Sequence, residues 1–172
     1  GMGLRKSVHP GTVALIALCF LVFIAEWISG VSLSRTWGMV PVRFLDNARA
    51  LLGDGVSFAA VSRLSPLVTG VFIHGDAEHI FFNMLFLWIF GSLAEDIYGG
   101  WWLALFFLFF FFFENSMQAL LVPGSVIPTV GASGAISGLQ GVYLGLAVRW
   151  QLPDVHVWPL AREVSPMQLG AV

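Results

Sequence analysis

The chain has 172 residues, 58% of them apolar and only 10% charged, with a formal net charge of −2. A soluble domain carries about a quarter charged residues. The composition therefore excludes an ordinary soluble fold and offers no basic surface for a nucleic-acid partner. It points to an all-α polytopic membrane protein, whose side chains face lipid and whose backbone bonds within each helix.

Taken in order, Arg5, Lys6 and His9 form a polar head, and Pro10 marks the start of a helix. Gly1 ahead of Met2 reads as a cloning scar or a fragment edge and is set aside. Thr12 to Ile28 predicts a first span of about 25 Å at 1.5 Å per residue, just adequate for a bilayer. The lone Cys19 inside it has no disulfide partner in the chain. Residues 29–76 mix Arg35, Arg43, Asp46, Arg49, Asp54 and Arg63 with Trp37, Phe44, Leu51, Leu52 and Phe58. That stretch is too polar to span and too apolar for a plain linker. It predicts short amphipathic helices lying in the membrane surface.

A second span is predicted over Ala77 to Ala94, closed by Glu95, Asp96 and the Gly99–Gly100 turn. The third, Trp101 to Val122, is dominated by the phenylalanine-rich run Phe106 to Phe113. Pro123, Gly124 and Pro128 make a loop, and Ser133 to Val148 forms a fourth span. At about 24 Å it falls short of the roughly 30 Å hydrocarbon core, so its start is expected in a water-filled recess. Gln151 to Pro166 is a polar loop, and Met167 to Val172 begins a fifth span. The expectation is one membrane domain over 1–172, with four complete spans and the start of a fifth. Arg5, Lys6, Arg149 and Arg162 fall on one side and Arg35, Arg43, Arg49 and Arg63 on the other, so the count alone does not decide orientation. The last four belong to the interfacial loop, where the rule is weaker, and the amino terminus is expected in the cytosol.

Chemistry concentrates in VGASGAISGLQGVYLG, Val130 to Gly145. Ser133 lies at the first turn of a helix, where unpaired N–H groups and the helix dipole favour developing negative charge. Gly134, Gly138, Gly141 and Gly145 recur on one stripe that lets another helix approach closely. The plain alternative is a packing stripe with a capping serine. His79 and Asn83 are one turn apart at the start of the second span and share a face. Counting spans brings them to the same side of the membrane as Ser133. His74, Glu78 and His79 do not form a convincing metal set, since His74 and His79 only loosely share a helical face; no metal or cofactor is expected. Glu114, with Asn115, Ser116 and Gln118, predicts a buried hydrogen-bonded patch in the third span.

Together these residues resemble the rhomboid family of intramembrane serine proteases. The likeness rests on GASG at Gly131 to Gly134, on His74, His79 and Asn83 in HGDAEHIFFN, and on the long amphipathic first loop. It implies a rhomboid-like helical bundle in the cell membrane, with its active site opening to the outer side. It implies Ser133 as nucleophile and an oxyanion hole made of the Ser133 N–H with the Asn83 and His79 side chains. His74 would support the site, with Gly131 and Gly134 flanking the serine. Substrates would be transmembrane proteins in the lipid bilayer, cut in or beside their membrane segment. The family's second catalytic residue, a histidine on the sixth span, has no counterpart within these 172 residues. Two other readings compete: an inactive relative that binds transmembrane helices, and a small transporter or channel subunit, for which only Glu114 offers a pore charge.

Overall fold

Lipid gives an exposed backbone no hydrogen-bond partner, so each long apolar stretch becomes a helix. The computed structural model describes residues 8–150 and 165–170. In chain order the helices are α1 (Pro10–Ser29), α2 (Leu33–Trp37), α3 (Pro41–Asp54), α4 (Phe58–Ser62) and α5 (Pro66–Thr69). They continue with α6 (Ala77–Tyr98), which contains a π-helical stretch at Leu87–Gly91, then α7 (Gly100–Leu121), α8 (Ser133–Trp150) and α9 (Pro166–Gly170). Among the described residues the only extended pairing is a two-residue antiparallel bridge between Met39 and Thr129.

Among the described residues three helices are long and apolar enough to cross a membrane: α1, α6 and α7. Sequence reading expects four. The fourth, α8, has 18 residues, but Gly134, Gly138, Gly141, Gly145, Ser133, Ser137 and Gln140 dilute its apolar character. Burial against neighbours compensates. Ala135, Ile136, Leu139, Tyr143 and Ala147 of α8 are all buried, and α8 packs against α6, α7 and α9. The start of the expected fifth span is the short α9, whose Gly170 carbonyl accepts from Gln140 Nε2 at 3.2 Å. Arg5, Lys6, His156, Arg162 and nearly all of the polar loop after α8 lie outside the described residues.

Residues 33–72 fold as expected into short helices, α2 to α5, followed by a 3₁₀ turn at Gly70–Phe72. Leu52 and Phe58 are almost fully exposed there, while Met39, Val40 and Leu67 are buried. That two-faced pattern suits a segment lying in the interface.

The second span runs past its expected end at Ala94 to Tyr98 because its carboxylates have work at the start of α1. Pro10 opens α1, but His9 supplies no side-chain cap. Glu95 caps it instead. Its two carboxylate oxygens accept from the Gly11 and Thr12 backbone N–H groups, each at 2.8 Å, and from the Thr12 hydroxyl at 2.8 Å. Asp96 lies 2.9 Å from His9 Nε2. A carboxylate on helix N–H donors is a charge-assisted bond that also complements the dipole. It fixes the start of α1 to the end of α6, opposite the end where α6 begins. Glu95→Ala is expected to lower stability in detergent by about 2 kcal/mol, more than Glu95→Gln, because amide replacement keeps one acceptor. An unchanged unfolding midpoint for Glu95→Ala would remove the cap from the account.

Only half of the glycine stripe is a helix contact. A Cβ at Gly134 would come 2.7 Å from Glu114 Oε2 on α7, and one at Gly138 would collide with the Phe110 ring. At Gly141 and Gly145 nothing lies within 4 Å. Gly138→Leu should therefore separate α7 from α8 and cost about 1–3 kcal/mol, while Gly141→Leu should leave the midpoint nearly unchanged. Equal midpoints for the two variants would show that the α7–α8 approach does not depend on a bare backbone.

Candidate active site

The site is assembled where α6 and α8 both begin. Asp76 ends the loop before α6 and accepts from the His79 backbone N–H at 2.7 Å, an N-cap that sets where the helix starts. From that start His79 and Asn83 fall one turn apart on one face. They line a recess of about 360 Å³ together with Asp76, Glu78, Phe82 and Phe86. Asn83 is 7% exposed, and its Nδ2 has no hydrogen-bond partner in the protein. Set at this recess, that amide is an address for an acceptor from outside the protein.

The loop into α8 reaches this recess through a seam of backbone bonds. Thr129 exchanges both bonds with Met39, at 2.7 and 3.1 Å, and the Gly131 N–H donates to the Gly70 carbonyl at 3.0 Å. The Thr129 hydroxyl donates to Gln118 Oε1 at 2.8 Å. Gly131 has φ +102°, a conformation that side chains with a Cβ disfavour. A Cβ there would also stand 2.7 Å from His79 Cε1 and 2.8 Å from His79 Nε2. Glycine is thus required twice, by its dihedral and by the imidazole packed on it. The Asn83 amide nitrogen would lie 3.7 Å from the same Cβ. The structure so brings His79, Asn83 and Gly131 together, two residues before Ser133. Ser133 itself is exposed at the first turn of α8.

His74 is 2% exposed. The Ala132 N–H donates to its Nε2 at 3.4 Å, so the ring proton sits on Nδ1, which faces the Phe72 carbonyl at 3.4 Å. Its ring meets His79 edge-on, with centroids 5.2 Å apart. Burial first, and the neighbouring His79 second, lower the His74 pKa to about 4; its contact with the Phe72 carbonyl opposes them. The neutral ring is the one that can accept from Ala132.

The expected patch on α7 is divided among several partners. Asn115 Nδ2 bonds the Phe111 carbonyl at 2.7 Å and Ser116 Oγ the Phe112 carbonyl at 2.8 Å, both within their own helix. Glu114 instead packs on Gly134 and, with Ser137, lines a cleft between α7 and α8. Sequence reading missed Gly70 and Gln118 as anchors of the serine loop. Gln118 carried a faint signal as a polar group on the Glu114 face; Gly70 carried none. Among the described residues no three His, Cys, Asp or Glu side chains are grouped to hold a metal ion.

The fold and this recess define a helical membrane protein with a polar pocket at one end of its bundle. The Rhomboid domain family model matches residues 61–155, more than half of the chain, and the chain belongs to the rhomboid family. It is also similar to Rhomboid-like protein 11, chloroplastic, of Arabidopsis thaliana, with 36% identity over 83 residues. That match covers 48% of this chain and 29% of the relative, so the chain spans under a third of the length of the curated relative it matches.

The buried neutral His74 gives the fold a pH signature. Its ordinary value of 6.5 applies unfolded and about 4 applies folded. The unfolded chain therefore binds more protons between those values, and stability falls as pH drops from about 6.5 to about 4, by up to about 3 kcal/mol. Unfolding midpoints measured across this range should show a slope in the wild type that His74→Gln reduces. Parallel curves for the two proteins would mean that His74 is not held neutral.

Proposed function

We propose that this protein is an intramembrane serine endopeptidase that cuts peptide bonds in or beside the transmembrane segments of its substrates. The observation that carries the reading is the unpartnered Asn83 amide beside His79, packed on Gly131 at the approach to Ser133. Ser133 Oγ would add to the scissile carbonyl carbon while its proton passes to a base. The carbonyl oxygen would become an oxyanion held by Asn83 Nδ2–H, a His79 ring N–H and the Ser133 backbone N–H. Collapse would expel the amine with that proton and leave an acyl-serine for water to hydrolyse. Neutral donors suit a site sunk in a bilayer, where an unpaired cation is costly to bury. The N–H groups of the first turn of α8 add a field of the right sign.

The described histidines make poor bases for Ser133. His9 pairs with Asp96 at the far end of α6, on the order of 25 Å of helix rise from His79. His74 is engaged with the Ala132 N–H. His79 is needed as a donor. The base is therefore assigned to a histidine outside the described residues; the second reading is an inactive relative that binds transmembrane helices. We place the protein in the cell membrane with its amino terminus in the cytosol and the recess opening to the outer side. Its substrates would be transmembrane proteins presented from the bilayer.

A serine-directed fluorophosphonate separates these readings. The 172-residue protein in detergent should label weakly, and a longer form that brings a histidine within about 3 Å of Ser133 should label strongly. Ser133→Ala should abolish the label, and Asn83→Ala should cut turnover of a transmembrane substrate by roughly 10²–10³. Failure of every form to label, with retained binding of a transmembrane helix, would favour the inactive binder. Strong labelling of the 172-residue chain that is lost in both Ser133→Ala and His79→Ala would make His79 the base.

A further inference from the structure

A cavity of about 290 Å³ lies in the interfacial segment, between α2 with the start of α3 on one side and the α4–α5 turn on the other. Arg43, Asn47 and Arg63 line it beside Trp37, Phe44 and Leu64, and no Asp or Glu does. Two bonds set its walls. Arg43 Nη1 donates to the Arg35 carbonyl at 3.2 Å, and Asn47 Nδ2 donates to the Arg63 carbonyl at 3.4 Å. Among the described residues neither Arg43 nor Arg63 forms an ion pair; the nearby Asp46 is taken by Arg49 at 3.2 Å.

Arg43 and Arg63 are both exposed and put two like charges on the lining of one cavity, which favours an anion there. Each presents a planar fork that matches phosphate oxygens. The surroundings identify the anion. Trp37 is 44% exposed, Val61 50% and Val68 48%, all in the same segment, with Leu52 and Phe58 almost bare nearby. Exposed apolar side chains around a charged cavity suit a molecule with a phosphate head and hydrocarbon tails. The volume is at the lower limit of ligand pockets, roughly 300 Å³, enough for a headgroup but not for a second folded partner.

We propose that Arg43 and Arg63 bind the phosphate of an anionic phospholipid whose acyl chains lie against the exposed apolar side chains of α2 to α5. This site is separate from the proposed peptidase chemistry and does not require it. It does touch the same frame, because Met39, which also lines the cavity, carries the backbone bonds to Thr129. A bound lipid would brace the segment that holds the serine loop.

The test is native mass spectrometry of the 172-residue protein released from detergent after incubation with phosphatidylglycerol or phosphatidylcholine, with inorganic phosphate as competitor. Phosphatidylglycerol should be retained in preference to phosphatidylcholine. Each arginine-to-alanine change should lower its retention about fivefold, and the double variant Arg43→Ala with Arg63→Ala should bring it to the phosphatidylcholine level. Arg43→Lys with Arg63→Lys should fall between, and Arg49→Ala should match the wild type. Unfolding midpoints of the lysine pair and the wild type in neutral detergent guard against misfolding. Equal retention of the two lipids, or an equal loss in Arg49→Ala, would overturn the site. Displacement of the lipid by millimolar phosphate would identify a free-phosphate site instead.

Discussion

The whole arrangement depends on satisfying the non-helical backbone that leads into α8, in a protein whose long helices are sized for a bilayer. Such backbone is tolerated only where it is buried in protein or lines a water-filled cavity. The run from Thr129 to Ala132 meets that constraint with partners from several elements: Met39 before α3, Gly70 after α5, His74 before α6 and Gln118 on α7. The long amphipathic segment is therefore more than a lipid-facing flap. It supplies three of the bonds, two at Met39 and one at Gly70, that allow the loop to reach the start of α8. Gly70 is also closely packed, since a Cβ there would stand 3.0 Å from Phe111 Cζ.

The two ends of α6 have opposite tasks met by similar chemistry. At its start Asp76 caps the helix itself, fixing where His79 and Asn83 point. At its finish Glu95 caps a different helix, α1, through two N–H groups and a hydroxyl. Close approach makes this reach possible. A Cβ at Gly11 would stand 3.0 Å from Glu95 Oε1 and 3.1 Å from Gly100 Cα, and one at Gly91 would stand 3.2 Å from Thr12 Cγ2. Small residues bring α1, α6 and the start of α7 together, and the carboxylate then supplies direction that apolar packing in lipid does not.

Hydrophobic runs made the architecture legible, because a bilayer turns apolar length directly into helices. The order of the long helices, their shared ends and the two-faced first loop all followed from composition, spacing and parity. The fourth span was less legible because its apolar burial is supplied by neighbours rather than by its own residues: Ala135 and Leu139 are buried although the helix is diluted by glycine and serine. In the site, the helical spacing of His79 and Asn83 and the glycines around Ser133 were readable. The role of His74 as acceptor for Ala132 was not, since the bond joins residues 58 apart in sequence. Glu95 looked like a helix terminator for the same reason. Its partners lie 83 and 84 residues away, and no local pattern announces a cap given to another helix.

The placing of the Asn83 amide bears directly on the proposed chemistry. Two donors of the same residue type are buried on α6 and α7, yet they are treated differently. Asn115 Nδ2 turns back onto its own helix and bonds the Phe111 carbonyl. Asn83 Nδ2 has the same chemical option, a carbonyl one turn earlier, and does not take it. It is held at the recess beside Gly131 instead. A donor with no partner in the protein, set at a recess, is left for an acceptor from outside, whether water or a ligand atom. The completing atom must be an acceptor. It would sit near the N-terminal turns of both α6 and α8, whose dipoles add a preference for negative charge. A carbonyl oxygen gains such charge only as a nucleophile adds to its carbon, so the donor would favour the transition state over the bound substrate. That asymmetry is what distinguishes the proposed oxyanion site from a simple hydrogen-bonding patch between helices.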